Sequence, residues 1–411
     1  MVEGINKRRV WVYPLILLGG GAAAIFFALI AIDLHVSNLS FWGLFTGVGP
    51  NEVQNALSNL PEVVVAILGI AITVVSIILQ LSATRYTPRV TEMFFRDRTN
   101  LVVLGLFVVT SIHCIWVTFA VHHTFFPRIL VVSTIILMTA AILVLIPYFA
   151  FVFAFLEPER IVSRLQEHAL LEVLNQRKKD NVAQRQGKVL VAVEQLADVA
   201  INALSEHDRI IASRSVDALK DFVTNYLHHK KELATAWFAP GEELRRNPDF
   251  VVMARHSLVK LEETRSWVEW KALRQYQTVF NEALNKMRDI GQIVAINTRY
   301  IGEHAIALDD RPVLHQVIKF FNTYLRATLN SSDVRTAYNV FHQYRQLAEN
   351  ILRAGWATEV KELTNYFKYY GQTANQRGLS FVTETAAHDL CALCEVAHRE
   401  NFADQEQLLA T

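Results

Sequence analysis

A line of small and polar residues runs through one of the long apolar stretches of this 411-residue chain. Its members recur every three or four positions, so at about 3.6 residues per turn they share an arc of about 80° on one helix face. The line consists of Glu62, Ala66, Gly69, Thr73, Ser76, Gln80, Thr84 and Thr87. Because hydroxyl, amide and glycine positions are ill suited to lipid, we expect this face to meet either water or another helix.

Two functions follow from such a face. In the first, the residues of this line from Glu62 to Thr84 face the pore of an oligomeric ion channel, and the cytoplasmic helices assemble or gate it. In the second, a non-conducting membrane scaffold or signalling protein packs the line against the small residues at 19–24 and binds partners through its helical domain. We favour the pore, because Glu62 and Gln80 are larger than close helix packing prefers.

His113 is a second candidate for chemistry, because it lies within another apolar stretch. A histidine inside a membrane is a functional candidate by default, since polar groups there are costly to bury. A neutral His113 that bonds a neighbouring hydroxyl or carbonyl accounts for the sequence equally well.

A run of potential metal ligands lies near the C-terminus, at His388, Cys391, Cys394 and His398. The residue types suit zinc. However, a helix over this run places its ends about 15 Å apart, so a single straight helix cannot bring all four onto one ion. A pair such as Cys394 and His398 could bind a metal only with ligands from elsewhere, and we predict neither a metal nor another cofactor.

The sequence gives no sign of an enzyme. It contains no phosphate-binding loop, no dinucleotide-binding glycine pattern and no nucleophile elbow. Its carboxylates are numerous, but no spacing singles out an acid/base pair. We therefore expect no enzymatic activity.

Four long apolar runs that could position these residues lie before Glu157. They predict membrane spans at about 10–32, 62–84, 101–121 and 129–156. Lys and Arg residues cluster before the first span and between the second and third spans. The loops at 33–62 and 122–128 contain one such residue, Arg128. By the positive-inside rule, both termini are then cytoplasmic.

The segment at 88–99, between the second and third spans, is expected to lie along the membrane surface. Pro88 ends the preceding helix, and the pattern then places Phe94 and Phe95 toward the apolar layer. The arginines expected at the cytoplasmic mouth or among lipid headgroups are Arg85, Arg89, Arg96 and Arg98.

This same segment carries a family pattern. Gln80 is followed by Thr87-Pro88-Arg89, then by Arg96-Asp97-Arg98, and then by Leu104-Gly105-Leu106-Phe107. Over roughly residues 60–120 the chain resembles the domain-of-unknown-function 2254 family of bacterial integral membrane proteins. The resemblance implies a multi-pass protein of the bacterial inner membrane and no established activity.

Residues 157–411 form a separate cytoplasmic helical domain in this interpretation, after a transmembrane domain at 1–156. Apolar residues recur there at helical spacing, and strand-type alternation is absent. The expected helices are 158–178, 186–204, 208–232, 256–289, 292–306, 312–329, 332–354 and 357–400, the last with a break near Gly371 to Gly378. Turns ending in Asp208, Asp310 and Asp333 each cap the next helix. The fold is thus predicted to be all-α, with an antiparallel helical bundle or solenoid-like array, and His228 to Lys231 form a solvated helix end.

Composition limits the partners. The net charge of +1 argues against nucleic acid, and the three cysteines imply no disulfide framework. One polar helix per chain cannot enclose a water path, so the pore requires a homo-oligomer. The expected partners are the lipid bilayer, further copies of the chain and inorganic ions.

Overall fold

The computed structural model describes residues 21, 24–32, 50–85, 89–121, 127–174, 182–400 and 402, and every regular element within them is a helix. Three of these helices are long and apolar enough to cross a membrane, namely Leu57–Ser82, Arg98–Ala120 and Ile129–Phe155. The first predicted span, at 10–32, lies largely outside the described residues, and its described part at 24–32 is helical. The contacts divide the chain into two units, one ending at Glu157 and one beginning at Pro158, with residues 85–87 grouped with the second.

The first unit contains four long or amphipathic helices: α1 (Pro50–Arg85), α2 (Arg89–Arg96), α3 (Arg98–Ala120) and α4 (Arg128–Phe155). A buried cluster of Leu57, Val117, Val121 and Leu130 joins α1, α3 and α4 near one end. Phe26, from the helical segment at 24–32, packs beside this cluster and lies 5.2 Å from the ring of Trp116. The segment therefore contacts the end of α1 that precedes the polar line.

Proline favours the first turn of a helix, and Pro61 is an exception. The structure has one continuous helix, with Pro61 in its interior. A proline there removes one backbone donor and leaves the carbonyl four residues earlier without its partner. That carbonyl belongs to Leu57, and a hydroxyl from α3 approaches it.

The expected placement of Phe94 in the lipid is wrong. Phe94 is 1% exposed and packs against Phe151 and Phe155 of α4, with ring centres 6.2 and 5.2 Å away. Phe95, Arg96 and Arg98 are exposed. The short helix α2 is therefore attached to α4 by an aromatic cluster, which the sequence pattern of α2 alone could not indicate.

The second unit is built from helices joined by short turns. Its main helices are α5 (Pro158–Leu174), α6 (Val182–Ser205), α7 (Arg209–His229), α8 (Glu242–Arg246), α9 (Pro248–Val251), α10 (Arg255–Glu263), α11 (Trp267–Lys286), α12 (Arg288–Ala307), α13 (Arg311–Asn330), α14 (Val334–Arg353), α15 (Ala357–Gln376) and α16 (Ser380–Arg399). Two single 3₁₀ turns lie between α7 and α8, at Lys230–Glu232 and Thr235–Trp237.

The last six helices are three similar helix pairs. Each helix from α11 to α16 is 20 residues long. Contacts join α12 to α14 and α14 to α16, as well as neighbours along the chain. Each pair thus packs on the next, which is the arrangement of a stacked helical array.

The predicted capping turns are confirmed. The carboxylates of Asp208, Asp310 and Asp333 accept hydrogen bonds from the backbone N–H groups of Ile211, Val313 and Thr336. Such caps satisfy donors that a helix N-terminus otherwise leaves unpaired.

Two predicted helices differ from the structure. The expected helix at 256–289 is divided into α10 and α11 at Arg265, whose φ of 53° is left-handed. In the expected helix at 357–400, the break lies at Gly378, whose φ is 72°, whereas Gly371 is inside α15. A positive φ ends a helix, and Gly adopts it at little cost, which is why the second break had a sequence signal and the first did not.

The expected solvated end at His228 to Lys231 is wrong for Lys230. Its ammonium group is buried and lies 2.6 Å from carboxylate oxygens of both Glu269 and Asp310. Burial alone would lower the pKa of Lys230, but these two carboxylates outweigh it and raise that pKa. Burial also raises the pKa of Glu269, which Lys230 offsets only in part. This group fixes the end of α7 to α11 and to the turn before α13.

Candidate functional site

The polar line of α1 lies on the outside of the single subunit. Its described members are exposed, and they are Glu62, Ala66, Gly69, Thr73, Ser76 and Gln80. The side chains of Thr84, Arg85 and Arg89, and the whole of Thr87, lie outside the described part of the structure. The structure therefore leaves these six residues at the surface of the subunit.

The buried face of α1 lies on the other side of the helix. It consists of Leu57, Val64, Ala71, Val75 and Leu79, each at most 4% exposed. At 100° per residue, the centre of this buried face is about 140° from the centre of the polar line. The helix thus buries its aliphatic side, whose Leu57 end meets α3 and α4, and presents its small and polar side outward.

The line contains an open glycine position and a satisfied hydroxyl. A Cβ atom added at Gly69 would meet no atom within 4 Å among the described residues. The hydroxyl of Thr73 donates to the carbonyl oxygen of Gly69 at 2.8 Å. That bond satisfies the hydroxyl within the helix itself, which leaves the oxygen lone pairs of Thr73 directed outward.

The small-residue patch of the first span does not cover this line where it is described. Gly21 and Ala24 are exposed, and a Cβ atom added at Gly21 also meets nothing within 4 Å. The other residues at 19–23 lie outside the described part. Among the described residues, the segment at 24–32 packs against the cluster that contains Leu57, which precedes the polar line.

Exposed aliphatic residues border the polar line on both sides. Ile72 and Val74 are 46% and 38% exposed and flank Thr73 directly, while Ile70 and Ile77 lie farther along the same helix. An aliphatic border of this kind suits lipid or a neighbouring apolar helix, whereas the line between the borders does not.

Several polar residues of α3 and α4 are arranged in the opposite way, because they face inward. His113 is completely buried, and its Nε2 lies 2.8 Å from the hydroxyl of Ser133. That hydroxyl donates its single hydrogen to the carbonyl of Leu130 at 2.7 Å, so Ser133 accepts from Nε2–H. His113 therefore serves to join α3 to α4, and the structure does not bring it to the polar line of α1.

Sequence reasoning missed a second buried polar contact. The hydroxyl of Tyr148 in α4 donates to the side-chain carbonyl of Asn100 in α3 at 2.8 Å, and both residues are buried. Asn100 begins an apolar stretch and Tyr148 follows Pro147, so neither stood out by spacing. Together with the His113 contact, this bond joins α3 to α4 through polar side chains.

The possible metal ligands near the C-terminus all lie on one helix, α16. Cys391 is exposed and Cys394 is partly buried, while burial and the neighbouring Cys391 raise the pKa of the Cys394 thiol. Within the described part of the chain, no group of three or more His, Cys, Asp and Glu residues is placed to hold a metal ion. Cys394 and His398 thus gain no third ligand there.

Comparison with known proteins gives one family. The family model described as "Predicted membrane protein (DUF2254)" matches residues 7–224. No curated protein matches the chain. A solved structure titled "Circular tandem repeat protein with novel repeat topology and enhanced subunit contact surfaces" is 14% identical, covers 97% of this chain and 94% of its own, and has a TM-score of 0.38. A structural similarity with so low a TM-score supports no conclusion about this chain.

Proposed function

Because the chain belongs to the DUF2254 family of predicted membrane proteins, we propose that it is an oligomeric ion channel or pore lined by the polar face of α1. The observation that carries this proposal is the outward direction of that face. A subunit that buries Asn100 and His113 of α3 but leaves the line from Glu62 to Gln80 exposed needs something other than lipid outside α1. Water in a shared pore meets this need.

The pore requires several copies of the chain around one axis. A single α1 presents only a narrow polar strip, bordered by exposed residues such as Ile72 and Val74. In a ring, these borders meet the neighbouring copies of α1, and the strips together enclose the water path. Glu62 would form one mouth, and the arginines at 85 and 89 the other, so the two ends attract ions of opposite sign.

The proposed topology keeps four spans, with the first at 10–32 and both termini in the cytoplasm of a bacterial cell. The distribution of Lys and Arg supports this orientation in the inner membrane. The helical array after Glu157 would then assemble or gate the pore from the cytoplasmic side. We assign it no enzymatic role, metal or cofactor.

A non-conducting scaffold is the second candidate, and Thr73 favours it. Because its hydroxyl is satisfied by the carbonyl of Gly69, the line tolerates a dry surface around that position. Ala66, Gly69 and Ser76 are also small enough for close packing against a helix of another copy. In that case the helical array would bind partners, and no ion would cross.

Cysteine labelling separates the two candidates. In a background with Cys114→Ala, Cys391→Ser and Cys394→Ser, single cysteines are placed at Thr73, Ser76 and Gln80. The matched controls are Ile72→Cys and Val74→Cys, which lie at nearly the same membrane depth as Thr73 and are also exposed in the subunit.

A charged, membrane-impermeant thiosulfonate is then added to the protein in native membranes. The pore predicts fast reaction at the three polar positions and little at the two controls, because thiolates form in water and not in lipid. Protection at all five positions, together with a homo-oligomer by mass, indicates the scaffold and contradicts the pore.

A further inference from the structure

The second unit contains a cavity of about 840 Å³ that neither the pore nor the family description explains. Its walls come from the segment of α9 and α10 on one side and from α11 and α13 on the other. This volume is within the usual range for small-molecule sites, about 300–1,000 Å³. The cavity lies wholly within the second unit, so its occupant can be tested separately from the proposed pore.

Six apolar side chains of the described residues contribute to the cavity wall. The aromatic ones are Trp270 and Phe320, and the aliphatic ones include Val252, Met253 and Leu261. Phe250 supports Trp270 from behind, with ring centres 4.9 Å apart. Val252 remains 82% exposed although it borders the cavity, so a ligand in the cavity would cover it.

The charged residues at the cavity are mostly basic. They are Lys260, Arg274, Arg311 and Lys319, with His256 and His315 beside them, against the single carboxylate of Asp249 among the lining residues. This excess of positive charge favours an anion.

The carboxylate of Asp249 does not neutralise this excess. It lies 2.5 Å from the buried ammonium of Lys271, which is outside the lining, and 3.3 Å from Arg274. Burial would raise the pKa of Asp249, but these two cations outweigh it and lower that pKa, so the carboxylate stays charged and committed to them. Asp249 therefore positions Arg274. Among the described residues, Asp249 forms no ion pair with the other cations that line the cavity.

Two of the cations have no ion pair. Arg311 is bound to Glu359 at 3.0 Å and lies over the ring of Trp356, and His315 lies near the same carboxylate. In contrast, Lys260 and Lys319 have no ion-pair partner within the part of the chain that the structure describes. These two ammonium groups come from different walls, α10 and α13, of one cavity.

We propose that this cavity binds a small organic anion, whose carboxylate or phosphate pairs with Lys260 and Lys319 and whose apolar body packs on Trp270 and Phe320. A concave site with a few charged groups at an apolar wall is the usual form of such a binding site. The body is either an aromatic ring or an alkyl chain, since Trp270 accepts both.

Binding is tested by calorimetry on the full chain in nanodiscs of zwitterionic lipid, which add no net charge. The probes are AMP and phenyl phosphate, which have an aromatic body, and octanoate, which has an alkyl body. Adenosine supplies a body without charge, and inorganic phosphate supplies charge without a body. At least one of the three organic anions should bind, and adenosine and phosphate should bind much more weakly.

The double variant Lys260→Glu/Lys319→Glu should weaken binding at least about tenfold, which corresponds to about 1.4 kcal/mol. The double variant Lys361→Glu/Lys368→Glu makes the same change of charge at exposed positions of α15 outside the cavity, and it should bind as the unaltered chain does. The proposal is overturned if none of the three organic anions binds the unaltered chain, if the first variant keeps full affinity, or if inorganic phosphate binds as tightly as they do. None of these outcomes bears on the pore.

Discussion

The hydroxyl of Thr118 in α3 lies 3.4 Å from the carbonyl oxygen of Leu57 in α1. Leu57 is four residues before Pro61, so its carbonyl is the one that the proline deprives of a helical donor. Thr118 also donates to the carbonyl of Cys114 at 2.9 Å, which is the shorter of the two contacts. One hydroxyl thus compensates for Pro61 and joins α1 to α3 just before the polar line begins.

Thr118→Val should therefore lower the free energy of unfolding by about 1 kcal/mol, because it leaves the Leu57 carbonyl without a partner. Thermal unfolding in nanodiscs measures this loss. Thr139→Val is the matched control, since the Thr139 hydroxyl bonds only within its own helix, to Ile135, and is exposed. It should cost much less.

A double-mutant cycle sharpens this prediction. Pro61→Ala restores the backbone donor, so Thr118→Val should cost less in a Pro61→Ala background than in the unaltered chain. Equal costs in both backgrounds would show that Thr118 does not act through the Leu57 carbonyl.

Asp249 should make the second unit sensitive to acid. Its pKa in the folded chain lies below the usual value of 3.8, because Lys271 and Arg274 hold the charged form against the effect of burial. An acid with a lowered pKa adds stability that is complete above its unfolded pKa and is lost as the pH falls through its folded pKa. Asp249→Asn should thus cost about 2 kcal/mol at pH 7.

This cost should shrink steadily below about pH 4, where the unaltered chain also loses the charge of Asp249. Unfolding is followed from pH 7 down to acid for both proteins. Asp309→Asn is the control, because Asp309 is exposed and its nearest recorded cation, Arg311, is 3.9 Å away. A difference that stays constant with pH would mean that Asp249 acts by packing and not by charge.

Two glycines of α12 test the packing of the helical array. A Cβ atom at Gly302 would lie 2.8 Å from a methyl carbon of Leu347 and 3.1 Å from one of Val317, whereas at Gly291 the nearest atom is 3.5 Å away. Gly302→Ala should thus destabilise the chain by about 1–2 kcal/mol through overpacking.

Gly291→Ala should be neutral or stabilising by up to about 1 kcal/mol, because Ala favours a helix over Gly. Chemical unfolding of the two variants gives the comparison. A similar effect of both would contradict the close approach of α12 to α13 and α14 at Gly302.

The helical nature of the chain and most turns of its second unit follow from local patterns. Apolar spacing identifies the helices, and the aspartates at 208, 310 and 333 mark their starts through contacts with residues three positions away. Such local signals are present in the sequence itself. The left-handed residue at Arg265 had none, because packing of α10 against α11 imposes a conformation that its residue type does not favour.

Contacts between distant segments could not be predicted in this way. The burial of Phe94 against Phe151 and Phe155, the Asn100 to Tyr148 bond and the pair of Lys230 with Glu269 each join residues far apart in the chain. The cavity with Lys260 and Lys319 arises similarly, because its walls come from separate helices. The polar line on α1 had a sequence signal, but the side of the helix that would be buried did not.

The most direct test of the proposed pore is ion conductance. Purified chain carrying Thr73→Cys, in the background without native cysteines, is placed in planar bilayers in potassium chloride, with Ile72→Cys as the control. We predict a conductance that falls several-fold when a charged thiosulfonate modifies Thr73→Cys and that is unchanged with Ile72→Cys. Absence of conductance in both proteins, or an equal response of both to the reagent, would contradict a water-filled pore along the polar face of α1.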